Sequence, residues 1–289
     1  MKQNNPYNAI VFSGGGCRCF WQVGFYEVLS ESCSFVPNVF AGVSAGAAMA
    51  CMIAANRIKE GMRFFKEIAR NNKKNLYIEN MLNHKPLFPH HDMYLEALNN
   101  ILDDKAFQAI KRSPPDIRVL LSYPPECLGA FTGALIGFFA YSLEKLLFEP
   151  LHPKFPVLLG YKAKVISVKS CPRKKDLTDL ILQSSCTPPV IPFLKRDGKP
   201  VFDGGLVDNV PARIINTSNQ KVLVLLTRNY PINKLHHVKN RIYVQPSRPI
   251  HVKKWDYTDP EGIQKTYDLG RKDAENYIKN KSLLVAPQY

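Results

Sequence analysis

An α/β fold, with a mostly parallel sheet and helices on both faces, is the class that this 289-residue sequence predicts. Three observations lead there. Short apolar runs rich in Val, Ile, Leu and Phe alternate with longer segments whose apolar residues recur at helical spacing. That alternation is the pattern of strands joined by crossover helices. Two run-to-helix junctions are glycine-rich, Ser13-Gly14-Gly15-Gly16-Cys17-Arg18 and Gly42-Val43-Ser44-Ala45-Gly46. No repeat, linker or composition break divides the chain, so residues 1–289 are expected to form one domain, long enough to bury a large core.

The elements follow in order. Tyr7 to Phe12 reads as a buried strand that stops at the triple glycine, and Cys19 to Ser30 as a helix with Phe20, Val23, Tyr26, Val28 and Leu29 on its apolar faces. Phe35 to Phe40 is a second buried strand, and Ala47 to Ala55, small and apolar, a second helix. Arg57 to Arg70 is amphipathic, with Ile58, Met62, Phe65 and Ile68 at helical spacing. Asn71 to Pro89 is polar and irregular. His84, His90 and His91 fall in this region without a metal-binding spacing, so exposed or capping histidines are expected. Helices over His91–Leu102 and Asp104–Lys111 precede a strand over Ile117–Tyr123. A strand over Lys162–Val168 and a helix over Lys174–Ser184 lead to the proline-rich turn Ser185 to Pro192. Lys199 to Phe202 runs into Asp203-Gly204-Gly205. Lys221–Leu226 and Arg241–Val244 are strands, and Asp259–Lys279 is a terminal helix packing Ile263, Tyr267 and Ile278.

Composition narrows the function. Hydrophobic content of 45% and charged content of 22% are those of a globular chain. The net charge of +15 points to an anionic partner: nucleic acid, an acidic substrate or an anionic membrane surface. With no Arg-rich arm or nucleic-acid module, no nucleic-acid partner is expected. The seven cysteines are odd in number and lack a CxxC pair, so a disulfide framework or zinc ribbon is not implied, and a reducing compartment is the simplest reading. The N-terminus lacks the apolar core of a signal peptide.

The chemistry concentrates at the two junctions and at Asp203. In Gly42-Val43-Ser44-Ala45-Gly46 a buried run turns directly into a helix, the context that makes a G-x-S-x-G pattern a nucleophile turn. A Cβ at either glycine is expected to collide with the neighbouring strand or helix, and Ser44 to project beside the helix's free N–H groups. Bare N–H groups at Gly14, Gly15 and Gly16 suit a phosphate or a developing oxyanion. The stretch lacks both the G-K-[ST] ending of a phosphate loop and the G-x-G-x-x-G spacing of a dinucleotide site.

Taken in order, Gly14-Gly15-Gly16-Cys17-Arg18, Gly42-Val43-Ser44-Ala45-Gly46 and Asp203-Gly204-Gly205 resemble the motifs of the patatin-like phospholipase family. The likeness extends to Thr187-Pro188 before the aspartate and to Leu206-Val207-Asp208-Asn209-Val210-Pro211 after it. Cys19 departs from the family's usual glycine-rich motif. The resemblance implies a three-layer α/β/α fold and a single acyl hydrolase domain. It implies Ser44 as nucleophile, Asp203 as base, and an oxyanion hole from Gly14, Gly15 and Gly16 beside Arg18. The implied reaction is calcium-independent cleavage of acyl esters of membrane lipids, with no cofactor or metal. A cytoplasmic protein peripherally associated with anionic membrane is then expected, with specialised export left open and any activating protein partner unknown. Two alternatives stay open. One is a Ser-His-Asp esterase using His236, His237 or His251; the other is a catalytically idle member that binds lipid or protein.

Cys127 to Leu143 runs for 17 residues without a charge, with glycines at 129, 133 and 137 that would let another helix approach closely. It is short of the ~20 apolar residues of a membrane span. It reads either as a buried core helix or as a helix beside the active-site mouth that lines an acyl channel or dips into a bilayer.

Overall fold

A computed structural model describes residues 3–4, 7–34, 36–215, 221–235 and 238–280. Eight strands form one mixed sheet: β1 Ala9–Phe12, β2 Val39–Val43, β3 Asp116–Tyr123, β4 Lys162–Ser167, β5 Leu194–Arg196, β6 Lys199–Asp203, β7 Val222–Leu225 and β8 Arg241–Val244. Their order is β8-β7-β1-β2-β3-β6-β5, with β4 also paired to β3. From β8 to β3 all neighbours are parallel, whereas β4, β6 and β5 join antiparallel. The helices are α1 Phe20–Ser32, α2 Ala45–Ala54, α3 Ile58–Asn71, α4 His90–Ile101, α5 Asp104–Arg112, α6 Ala130–Phe148, α7 Phe155–Leu158, α8 Lys174–Ser184, α9 Gly205–Asp208 and α10 Pro260–Asn280.

Strand alternation divides the core. Ile10, Phe12 and Phe40 point to one face, where they join residues of α1, α2, α3, α4, α5, α8 and α10. Ala9, Val11, Val39 and Ala41 point to the other, together with Val210, Ala212 and Tyr230 from irregular chain. Near β3, Val43, Leu120 and Phe202 extend that second layer against Ala134 of α6 and Leu206 of α9. Both faces are therefore covered, as the α/β/α expectation requires, but the second layer is a mixture of the long helix α6, short helices and loops.

The second strand lies later than its apolar run suggests. It spans Val39–Val43, because Ala41 and Gly42 continue the ladder opposite Arg118 and Val119. β2 and β6 then approach each other along β3. Val43, the last residue of β2, pairs with Leu120, and Asp203, the last of β6, pairs with Leu121. β4 holds the opposite edge of β3 over these same residues, so β2 and β6 meet end to end on one edge. This meeting places the residues that follow β2 beside Asp203.

The apolar segment is not a core helix, and its glycine stripe does not receive another helix. α6 extends to Phe148, past the uncharged stretch, and is the one helix among the described residues whose length and composition could cross a membrane. Its small face packs on aromatic rings instead. A Cβ at Gly137 would lie 2.8 Å from the Tyr161 ring, and one at Gly133 would lie 3.3 Å from Phe202. Gly129 caps the helix start. Among the histidines, His84 is exposed as expected, but His90 is buried, its Nε2 2.9 Å from the Trp255 carbonyl. Cys17, Cys19, Cys51, Cys171 and Cys186 are buried free thiols.

Candidate active site

Ser44 stands between β2 and α2 with φ of 54° and ψ of −135°, a left-handed conformation that strains a non-glycine residue by about 1–3 kcal/mol. The turn is held in this shape from both sides. A Cβ at Gly42 would lie 2.7 Å from the Ala47 Cα, and one at Gly46 would lie 2.5 Å from the Phe12 carbonyl oxygen. The two glycines therefore let α2 pack directly against β1 and β2. From below, the Ser44 N–H donates to the Ser184 hydroxyl at 2.9 Å, and that hydroxyl donates to the Leu120 carbonyl at 2.8 Å.

Asp203 is buried, and the end-to-end meeting of β2 and β6 brings its carboxylate next to Ser44, near enough for the hydroxyl to favour the charged carboxylate. The carboxylate also accepts the Gly205 N–H at 2.7 Å. Burial raises its pKa above the ordinary carboxylate range, because the charged form loses water. The Lys254 ammonium opposes that rise, as do the Gly205 N–H and the nearby Ser44 hydroxyl. Asp203 opens onto a cavity of about 250 Å³ lined also by Phe138, Tyr141, Thr187, Leu206 and Lys254.

The glycine turn lies between β1 and α1. Gly16 has φ of +58°, the left-handed region that favours glycine, and a side chain there would run into the Lys254 carbonyl. That same carbonyl accepts the Cys17 N–H at 3.1 Å. The three predicted donors are not equivalent. The Gly14 N–H is engaged by the Asn209 carbonyl at 3.1 Å, whereas the N–H groups of Gly15 and Gly16 have no acceptor among the described residues. Arg18 is half-buried on the following turn; its Nε donates to the Gly15 carbonyl at 3.5 Å. Burial lowers its pKa, and Arg228 lies close enough to repel it. Cys19 fits where it stands: it is buried, donates to the Ser13 carbonyl at 3.5 Å, and its thiol is pushed up to about 12 by burial.

Lys254 and Ser184 carried no sequence signal. Lys254 lies in a polar stretch without periodicity. Its ammonium stacks 4.7 Å from the Trp255 ring centroid, and burial lowers its pKa while Asp203 favours its charge. Of the histidines in the alternative triad, His251 is exposed, and His236 and His237 lie outside the described residues. A buried histidine, His152, joins Asp208 at 2.7 Å. No group of three or more His, Cys, Asp or Glu able to hold a metal is gathered among the described residues.

Comparison with known proteins bears on the whole arrangement. The model of the family described as patatin-like phospholipase matches residues 10–215, which include both glycine junctions and Asp203. The chain belongs to the patatin-like phospholipase family. Two solved structures are similar to this patatin-like chain. VipD from Legionella pneumophila is 12% identical, with a TM-score of 0.47, over 95% of this chain and 67% of that one. The type III effector protein ExoU is 11% identical, with a TM-score of 0.41, over 96% of this chain and 54% of that one. The patatin-like chain thus spans about two thirds of one and about half of the other. No curated protein sequence matches it. Family membership supports a lipid ester hydrolase of the patatin type.

Proposed function

We propose that the protein hydrolyses carboxylic esters of membrane lipids through a Ser44–Asp203 dyad, without calcium. The observation that carries this reading is the placement of Ser44 beside the buried Asp203 carboxylate where two strand ends meet. Ser44 Oγ attacks the ester carbonyl carbon and gives its proton to Asp203. The carbonyl oxygen gains the negative charge and takes hydrogen bonds from the free N–H groups of Gly15 and Gly16 at the glycine turn. Gly14 shapes the turn, since its own N–H is held by Asn209. Collapse of the tetrahedral intermediate breaks the ester C–O bond, and the departing alkoxide takes the proton from Asp203. Water then attacks the acyl-serine, Asp203 accepts its proton, and the fatty acid leaves as Ser44 recovers its hydrogen. A carboxylate near its ordinary pKa of about 4 is a weak base. Burial of Asp203 raises its basicity, which this role requires.

Arg18, with Arg228 and Lys254 nearby, gives the mouth a positive field that suits an anionic lipid, in keeping with the net charge of +15. The test is mass spectrometry of products from mixed-lipid vesicles containing calcium chelator, wild type against Ser44→Ala. Free fatty acid and lysolipid are expected from wild type alone. Equal release by the variant would overturn the nucleophile. A fluorophosphonate probe should label wild type at Ser44, and failure to label would favour the idle member. Alanine at His236, His237 and His251 together is expected to leave hydrolysis unchanged.

A further inference from the structure

We infer that the outer face of α6 and the adjoining α7 seats in the surface of an anionic phospholipid bilayer and places the mouth of the site at the headgroup level. The inference deepens the function proposed above and rests on it only for the chemistry that follows docking. Eleven of the nineteen exposed large apolar side chains among the described residues lie between Phe131 and Leu159. Along α6 they include Phe131, Leu135, Phe139 and Leu146; Leu146 is 81% exposed, and Leu158 of α7 is 80% exposed. The row runs the length of a helix of 19 residues, about 28 Å at 1.5 Å per residue. Patches of this extent on a monomer mark an interaction surface.

The opposite stripe of α6, Gly133, Gly137, Ala140 and Glu144, is buried against the domain. The Tyr161 hydroxyl donates to the Gly133 carbonyl. The Glu144 carboxylate accepts the N–H groups of Lys154 and Phe155 at 2.8–2.9 Å, which fixes α7 beside α6. The helix is fastened along its length, so one face alone is available to lipid. That geometry suits insertion to about 5–10 Å, at the boundary of headgroups and acyl chains.

Charge selects the occupant. Lys145 projects from α6 near Arg18, Arg228 and Lys254, and like-charge repulsion together with burial lowers its pKa. Lys234 donates to the Phe148 carbonyl at 2.7 Å at the end of the helix. None of Lys145, Arg18, Arg228 and Lys254 forms an ion pair among the described residues. A second copy of a chain with net charge +15 would bring these cations together, whereas anionic lipid headgroups neutralise them. The same helix connects lipid to chemistry. Phe139 faces outward, while its neighbours Phe138 and Tyr141 line the cavity on which Asp203 opens. An acyl chain drawn from the leaflet crosses one helix to reach the site.

The experiment uses the full chain carrying Ser44→Ala, so that hydrolysis does not consume the vesicles. Co-sedimentation with phosphatidylcholine vesicles containing phosphatidylglycerol is compared with pure phosphatidylcholine. Strong binding to the anionic vesicles is expected. The further changes Phe131→Ser, Leu135→Ser and Phe139→Ser should weaken it by at least about tenfold, with the thermal melt retained. Phe139→Trp is read in parallel, and brominated lipids should quench it at shallow acyl positions. Unchanged binding in the triple variant overturns the face, and quenching deepest at the bilayer centre overturns interfacial seating in favour of a span. A dimer that the triple variant dissolves, with no vesicle binding, assigns the face to a second copy and also overturns it. Because the protein tested is inert, its binding stands or falls apart from the dyad; fluorophosphonate labelling of the wild type reports on the dyad alone.

Discussion

The backbone N–H of Ser44 donates to the side-chain hydroxyl of Ser184, 140 residues away in sequence, and the same hydroxyl bonds the Leu120 carbonyl. Ser184 thus ties the strained turn to β3, the strand against which both ends of the site are registered. Ser184→Ala removes the acceptor of one buried group and the donor of another. A loss of about 1–3 kcal/mol is expected from these unsatisfied partners, measured by urea unfolding. Fluorophosphonate labelling of Ser44 should slow in the folded variant, since the turn loses its tether.

On the proposed chemistry, Asp203 sets activity against stability. Burial raises its pKa, so the fold holds that proton more tightly than the unfolded chain, where the carboxyl has a pKa of about 3.9. Stability is therefore lost as pH rises from the unfolded value through the raised one. Asp203→Asn retains an oxygen for the Gly205 N–H and removes the charge. Hydrolysis should fall by at least about 10³-fold. The melting temperature at pH 7 should equal or exceed that of wild type, with the difference shrinking toward pH 4. A variant that is inactive because it is unfolded would contradict this account.

Lys254 gives a prediction about pH. Its ammonium holds the Asp203 pKa below the value that burial alone would set. Lys254→Met keeps the backbone carbonyl that seats Cys17 and removes the charge. The acid limb of kcat/KM on a dispersed short-chain ester should move to higher pH, because the freed carboxyl protonates more readily. Lys254→Arg should leave the limb near its wild-type position.

Gly137 tests how α6 is seated. An added methyl would lie 2.8 Å from Cε1, Cζ and the hydroxyl oxygen of Tyr161, and that hydroxyl is itself bonded to Gly133. Gly137→Ala should cost about 1–3 kcal/mol by overpacking, despite the better helix propensity of alanine. An increase in stability in denaturant melts would show that the ring is free to move.

Much of this was legible in the sequence. Buried strands such as Ile10 to Phe12 and Val222 to Leu225 announce themselves because both their faces are covered and both must be apolar. The serine turn and the aspartate were marked by glycines that only close packing demands. Other features were hidden because they depend on distant chain. Lys254 sits in a stretch with no periodicity and reaches the site only through the turn that holds Gly16. The antiparallel entry of β6 follows from its register on β3, not from its composition. Composition also told that the segment at 127–143 is apolar, but not that one stripe of it would meet Tyr161 and the opposite face would meet solvent. His90 looked like a polar loop residue, yet the Trp255 carbonyl gives its ring a buried partner.

The junction of β2 with β6 has a consequence for synthesis. The serine turn emerges from the ribosome long before Asp203, and the carbonyl that steadies the glycine turn comes later still, from Lys254. On the proposed chemistry, a chain that has not yet reached residue 203 carries its nucleophile without the base that would arm it. Its lipolytic chemistry then waits until the chain through Lys254 has been made.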